Sequence, residues 1–199
     1  MPILYHASAS PYSAKVRMAA AHYDVILELQ SVVTTEEPAA LLSANPLGKI
    51  PTLVLDDGFA TFDSRSIMQE IDRMSGKLLY PRNANKRRLV ERLEAAGDGL
   101  SDVLVAQVYE KRYRPEEKVH QGWLDKQAAK AERSLDWLEA NIIPVRGKLN
   151  GGQFAVAAAL SYAELRFPER NWQRGRPKLR RFMQRFSETC PAFETQKSM

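Results

Sequence analysis

Three short runs hold residue types that can grip and activate a small ligand. In SPYSAKVRMA, Ser10–Ala19, a serine stands directly before a proline and a helical pattern. In NPLGKIPTL, Asn45–Leu53, a turn leads to a proline that opens an apolar run. In FDSRSIMQEI, Phe62–Ile71, Asp63 and Ser64 precede a second helical pattern. Ser64 is predicted as an N-cap, whose side-chain oxygen satisfies a first-turn N–H. Such N–H groups, together with the Ser64 hydroxyl, also suit a carboxylate, because a helix start favours negative charge. Pro51 fits the first position of a strand, where its missing N–H costs nothing. A trans Ile50–Pro51 bond makes this a plain turn. A cis bond would leave the backbone N–H and C=O of Ile50 open to an extended ligand added as a strand. Ser10 before Pro11 has the form of an N-cap with proline at N1. The three runs together point to a site for an extended, peptide-like ligand.

The elements that must position these runs alternate in type at first. Strands are expected at Ile3–His6 and Val25–Gln30, with a helix at Pro11–Tyr23 between them. A short helix near Pro38–Ala44, a hairpin over Pro51–Phe62 turning at Asp56-Asp57-Gly58, and a helix from Ser64 to Ser75 follow. The order βαβ then ββα gives a mixed four-stranded sheet whose first two strands are parallel. The run Leu79–Asn85 has no periodicity, contains a proline and two cap residues, and is taken as a linker between residues 1–80 and 86–199. Beyond it all is helical. Leu89, Leu93, Ala96, Leu100, Val103, Leu104 and Val108 form one stripe, and Ala128, Ala131, Leu135, Leu138 and Ile142 another. Ala155 to about Phe167 is apolar nearly all round and is the expected centre of the helical part. A last helix is expected from about Pro177 to Ser187.

The chain has 199 residues, 44% of them hydrophobic, enough for a sizeable core in one or two small domains. No apolar run approaches the length of a membrane span, and the N-terminus lacks the pattern of a signal peptide, so a cytoplasmic protein without membrane contact is expected. One cysteine, Cys190, rules out an internal disulfide framework, and three scattered histidines, His6, His22 and His120, offer no metal-ligand spacing. The formal charge of +5 is concentrated at Lys86–Arg88 with Arg92 and between Arg166 and Arg185. These runs read as solvated helix faces; no nucleic-acid reader motif accompanies them.

The three runs, in this order and spacing, resemble the cytosolic glutathione transferases over nearly the whole chain. The Ser-Pro-aromatic start followed by KVR is most similar to the serine or cysteine type, near bacterial glutathione transferase-like proteins and the zeta and omega classes. The resemblance implies a thioredoxin-like α/β N-terminal domain, an all-α C-terminal domain, a cis proline at Pro51, a homodimer, and glutathione as co-substrate. It assigns Ser64 to the γ-glutamyl carboxylate with Asp63 beside it, the Ile50 backbone to the cysteinyl unit, and Lys49 to the glycyl carboxylate. Ser10 matches the residue that contacts the sulfur. Two departures stand out: Arg65, where some relatives carry a small or apolar residue, and alanines at Ala155–Ala159 where a capping box is common.

A thiol of pKa about 8.5 is mostly protonated at neutral pH, and the thiolate is the nucleophile. Lowering that pKa by about two units needs roughly 2.7 kcal/mol of preference for the anion. A hydrogen bond to a charged acceptor gives about 1.5–3 kcal/mol and a helix N-terminus about 0.3–1. Ser10 and the first turn therefore suffice. Tyr5 is a rival donor, while Ser13 and Tyr12 rank as helix-surface or supporting residues. A serine at position 10 disfavours thiol transfer, since it forms no mixed disulfide. A small electrophile is expected between the domains against Tyr109, Arg112 and Tyr113, with Trp172 a further lining residue. Cys190 is read as structural. The leading expectation is a transferase; the alternatives are a non-catalytic interaction or regulatory protein of this fold and a zeta-like isomerase, the latter ranked lower because Pro-Tyr interrupts its signature run.

Overall fold

A computed structural model describes residues 1–199. Strand β1 (Ile3–His6) leads to helix α1 (Pro11–His22), strand β2 (Glu28–Ser31), a single 3-10 turn at Thr34–Glu36 and helix α2 (Ala39–Ala44). Strands β3 (Thr52–Val54) and β4 (Ala60–Thr61) and helix α3 (Ser64–Met74) complete the α/β part. The sheet order is β2-β1-β3-β4; β1 is parallel to β2, as the element order predicts, and both other pairs are antiparallel.

The second strand starts three residues later than the hydrophobic run. Val25 N–H is held by the Ala20 carbonyl at 2.9 Å, which finishes the helix end, and Val25 is buried in the core. Its amide is thus spent on α1, and the ladder with β1 begins only at Glu28 opposite Ile3.

The segment after α3 is tied down at both ends rather than loose. The Asp72 carboxylate accepts the N–H groups of Leu79 (2.7 Å) and Tyr80 (3.1 Å), and both residues are buried. Asn83 caps helix α4 (Ala84–Tyr113), which is followed by α5 (Gln121–Asn141), α6 (Gly151–Arg166), α7 (Pro177–Thr189) and the short α8 (Phe193–Gln196).

Helix α6 does not start at the alanines. Asn150 accepts from Gln153 N–H at 3.1 Å and the Gln153 side chain accepts from Asn150 N–H at 3.0 Å, a complete capping box. The cap expected to be missing lies five residues upstream and uses Asn and Gln in place of Ser and Asp. Two glycines then bring α6 against α4. A Cβ on Gly97 would sit 2.7 Å from the Ala155 carbonyl carbon, and one on Gly152 would sit 2.6 Å from the Val90 carbonyl oxygen. The helix backbones touch at both points, which seats the Asp and Glu residues of α4 beneath the α/β part. No helix is long and apolar enough to cross a membrane.

Candidate functional site

Register places three segments on one edge of the sheet. Tyr5 on β1 faces Thr52 on β3, and Leu53 on β3 faces Thr61 on β4. The chain leaving β1 (Ala7–Ser10), the chain entering β3 (Asn45–Pro51) and the chain leaving β4 (Phe62–Ser64) therefore emerge together. Ser10, Lys49, Ile50, Pro51, Asp63 and Ser64 all lie on these segments.

Ser10 caps α1, accepting from Ser13 N–H at 3.2 Å, with Pro11 as the first helical residue. Its own hydroxyl proton is given to no protein group, so it is free for an acceptor outside the helix. Asn45 organises the second segment: its buried amide donates to the Lys49 carbonyl (2.9 Å) and to Thr52 Oγ1 (3.0 Å), and its oxygen accepts from Leu47 N–H (3.0 Å). Thr52 also donates to the Lys49 carbonyl at 2.8 Å. The Ile50–Pro51 bond is cis, and the N–H and C=O of Ile50 have no partner in the chain. Lys49 extends into solvent.

The third segment corrects one expectation. Asp63, not Ser64, is the N-cap of α3: its carboxylate accepts from Arg65 N–H at 2.9 Å and its carbonyl from Ile67 N–H at 3.0 Å. Aspartate caps as well as serine does, so the helix begins one residue sooner. Ser64 becomes the first helical residue, buried at 4% exposure, and its hydroxyl is released from the capping duty assigned to it. Its N–H, like that of Ser66, has no partner in the chain.

Beneath this edge lies a buried charge cluster. Lys15 on α1, 1% exposed, donates to Asp98 at 2.8 and 3.0 Å and to Glu94 at 3.2 Å, both on α4. Arg65 Nε reaches the same Asp98 at 2.8 Å, and Tyr80 donates to Glu94 at 2.7 Å. Burial first, then the charge of Glu94, pushes the Tyr80 phenol far above its ordinary range. The neighbouring Asp98 carboxylate holds the Arg65 guanidinium charged. Two cations and two carboxylates thus tie α1, α3 and α4 together next to Ser64.

Further along α4, Asp102 accepts from the Tyr12 hydroxyl at 2.5 Å, placing α4 beside the Ser10 loop. Burial and this carboxylate hold the Tyr12 phenol protonated. Tyr109 stands seven residues on, about 10 Å along the same helix face. Tyr109 and Tyr113 pack edge to face at 5.1 Å, and the Arg112 guanidinium lies 6.0 Å from the Tyr109 ring centre. Trp172, expected in the cleft, is instead buried in the helical core. Cys190 is fully buried, and burial pushes its thiol up to about 11, which fits a structural role.

The comparisons decide the family. Residues 4–77 match the glutathione S-transferase N-terminal domain and residues 121–185 the glutathione S-transferase C-terminal domain. A crystal structure of a glutathione transferase family member from Pseudomonas fluorescens, with bound glutathione, superposes with a TM-score of 0.93 at 33% identity over 100% of both chains. The chain belongs to the glutathione S-transferase family. A glutathione S-transferase from Methylobacillus flagellatus with glutathione bound is 31% identical, with a TM-score of 0.92 over 100% of both chains. The GST-like protein YibF of Escherichia coli is 29% identical over 174 residues, 85% of this chain and 86% of the relative. The fold is that of the transferases: a small mixed α/β domain followed by a helical one.

Sequence reasoning missed the acidic row Glu94, Asp98, Asp102. Its members recur every four residues between the apolar positions of α4, so a helical-spacing search for acids within the apolar stripe finds them. It also missed Arg17, whose signal is only that a basic residue follows Val16 on a helix that is buried nearly all round.

Proposed function

We propose that this protein is a glutathione transferase that holds the glutathione thiolate at Ser10 for attack on a small electrophile. The single observation that carries this is the Ser10 hydroxyl: it caps α1 as an acceptor and keeps its proton free, at the positive end of a twelve-residue helix. A sulfur placed there receives a hydrogen bond and the favourable helix-start potential together, and Tyr12, held by Asp102, does not compete as a base.

The other residues take the remaining parts of an extended tripeptide. The free N–H and C=O of Ile50, held by the Asn45 loop before Pro51, pair with the cysteinyl unit as an added strand. The Ser64 hydroxyl and the N–H groups of Ser64 and Ser66 receive the γ-glutamyl carboxylate, with Asp63 toward the amine, and Lys49 reaches the glycyl carboxylate. The Pseudomonas and Methylobacillus relatives crystallised with glutathione support glutathione as the co-substrate. The complex of the Pseudomonas relative with S-(propanoic acid)-glutathione supports a site that accommodates a substituted sulfur. The division of the chain at 1–80 and 86–199, a homodimer, and a cytoplasmic setting belong to this reading. The electrophile enters beside Tyr109, Arg112 and Tyr113.

Calorimetric titration of glutathione into wild type and Ser64→Ala tests the reading. Binding that weakens by about tenfold in Ser64→Ala, one lost charge-assisted hydrogen bond, is the expected result. Absence of glutathione binding to the wild type overturns it.

A further inference from the structure

We propose that the electrophile taken by this protein carries an anionic group, a carboxylate or its equivalent, on a planar body, and that Arg166 and Arg112 select it. The inference rests on the transferase reading above and names the substrate class of that same site.

Two guanidinium groups of the helical domain have no carboxylate partner. Arg166 ends α6, is half-buried, and its Nε is shielded from solvent without a hydrogen-bond partner. Its guanidinium carbon lies 5.9 Å from the ring centre of Tyr162, one turn earlier on the same helix. Arg112, on α4, stands in the corresponding relation to Tyr109. Helices α4 and α6 run side by side from the Gly97–Ala155 contact to the hydrogen bond between Arg170 and Gln107, so Tyr162 and Arg166 lie along the stretch of α4 that leads to Tyr109 and Arg112. Asp102, about two turns before Tyr109 on α4, accepts from Tyr12, two residues from Ser10, so the patch lies on the Ser10 side of the helical domain.

The nearby carboxylates are otherwise engaged. Asp102 accepts from Tyr12, Glu110 pairs with Arg114 at 2.8 Å, and Glu164 accepts from Gln173. A third guanidinium, Arg170, is committed to Gln107 at 2.8 Å. With no carboxylate of the chain against them, these two guanidinium groups keep charge-assisted donors for an anionic group from outside. Arginine suits a planar carboxylate because its donors match both oxygens, and the flanking tyrosine rings suit a flat body.

The probes are two glutathione thioethers of equal size, S-(4-carboxybenzyl)glutathione and S-(4-carbamoylbenzyl)glutathione. They differ only in charge at the far end of the ring. Calorimetry on wild type, Arg166→Gln, Arg166→Lys and the Arg112→Gln/Arg166→Gln double variant reads the ratio of the two affinities, and thermal melts check folding. The expected result is about a tenfold preference for the carboxylate in wild type, lost in the double variant and partly kept by Arg166→Lys. Equal binding of the two thioethers by wild type, or a preference that survives the double variant, overturns the inference and leaves the transferase reading standing. Failure of wild type to bind glutathione or either thioether overturns both.

Discussion

The Arg17 guanidinium donates to the Gln196 carbonyl at 2.9 Å, joining α1 to the C-terminal tail across almost the whole chain. The same buried side chain donates to Ala7 O (3.1 Å), Ser8 O (3.2 Å) and Lys197 O (3.3 Å), and Met199 N–H returns to Ser8 O at 3.3 Å. Its acceptors are carbonyls and the His6 Nδ1 (3.2 Å), with no carboxylate among them, and burial pulls the guanidinium down to about 10. One arginine therefore fixes the loop that ends at Ser10 and uses the last residues of the chain to do so.

Removing this guanidinium strands several buried carbonyls. Arg17→Met is expected to cost about 3 kcal/mol, a fall in Tm of roughly 6–12 °C for a chain of this size. Deleting Lys197–Met199 is expected to cost less, because three of the four carbonyl contacts remain. In both variants the apparent pKa of glutathione bound at Ser10 rises as the loop loosens, read from thiolate absorbance against pH. Unchanged melting of Arg17→Met would refute the clamp.

The charge cluster gives a graded expectation. Lys15→Met leaves Glu94 and Asp98 facing each other in a buried setting and is expected to cost about 3–5 kcal/mol. Arg65→Ala breaks an ion pair whose arginine is 54% exposed, and solvent screening holds its cost below about 1 kcal/mol. The Lys15→Met/Asp98→Asn double variant recovers part of the loss. Urea unfolding of the four proteins checks the order, and an Arg65→Ala loss as large as that of Lys15→Met contradicts it.

Much of this arrangement was legible in the sequence where a local rule decides. Ser10 before Pro11 specifies a cap and a first helical residue without tertiary help, and the observed helix starts there. Pattern alone also set the mixed sheet and its parallel first pair. Legibility failed where two local rules compete. Asp63 and Ser64 are both good caps, and neighbouring-residue chemistry does not rank them. Val25 fits a strand by type, yet its amide closes a helix. The cluster at Lys15 and the clamp at Arg17 were invisible for a different reason: the partners that make them, Glu94 and Asp98 for Lys15 and Gln196 and Lys197 for Arg17, lie 79 to 180 residues away. Periodicity reports which face of a helix is buried, and not which buried charge meets which.

Acid is expected to weaken the fold through two histidines. Burial lowers the His6 pKa, the nearby Arg17 charge adds to this, and a hydrogen bond from the imidazole to the Ala7 backbone opposes it. Burial likewise lowers His22, against the pull of Asp24. Both titrate below the ordinary 6.5 when folded. Between the folded values and 6.5 the unfolded chain holds more protons, so stability rises with pH there. This stabilisation is present above 6.5 and is lost as pH falls through the folded values. Denaturant midpoints from about pH 7 to about pH 5 should fall for wild type and flatten in His6→Gln/His22→Gln; equal slopes would discard the assignment.

Ser10 carries two duties that substitution can separate. As a cap it accepts from Ser13 N–H, and in the proposed reaction it donates to sulfur. Ser10→Ala removes both, at about 0.5–2 kcal/mol of stability. Ser10→Gly removes the hydroxyl equally but costs the helix only a few tenths of a kcal/mol, about as much as a glycine cap loses relative to serine. If the hydroxyl stabilises the thiolate, both variants raise the apparent thiol pKa of bound glutathione by a similar amount, about one to two units for a hydrogen bond of roughly 1.5–3 kcal/mol to an anion. If Ser10 matters only because it caps α1, the thiol pKa follows stability and Ser10→Gly stays near wild type. Thiolate absorbance against pH, set beside the Tm of each variant, distinguishes the two, because one cause moves both readouts together and the other moves them apart.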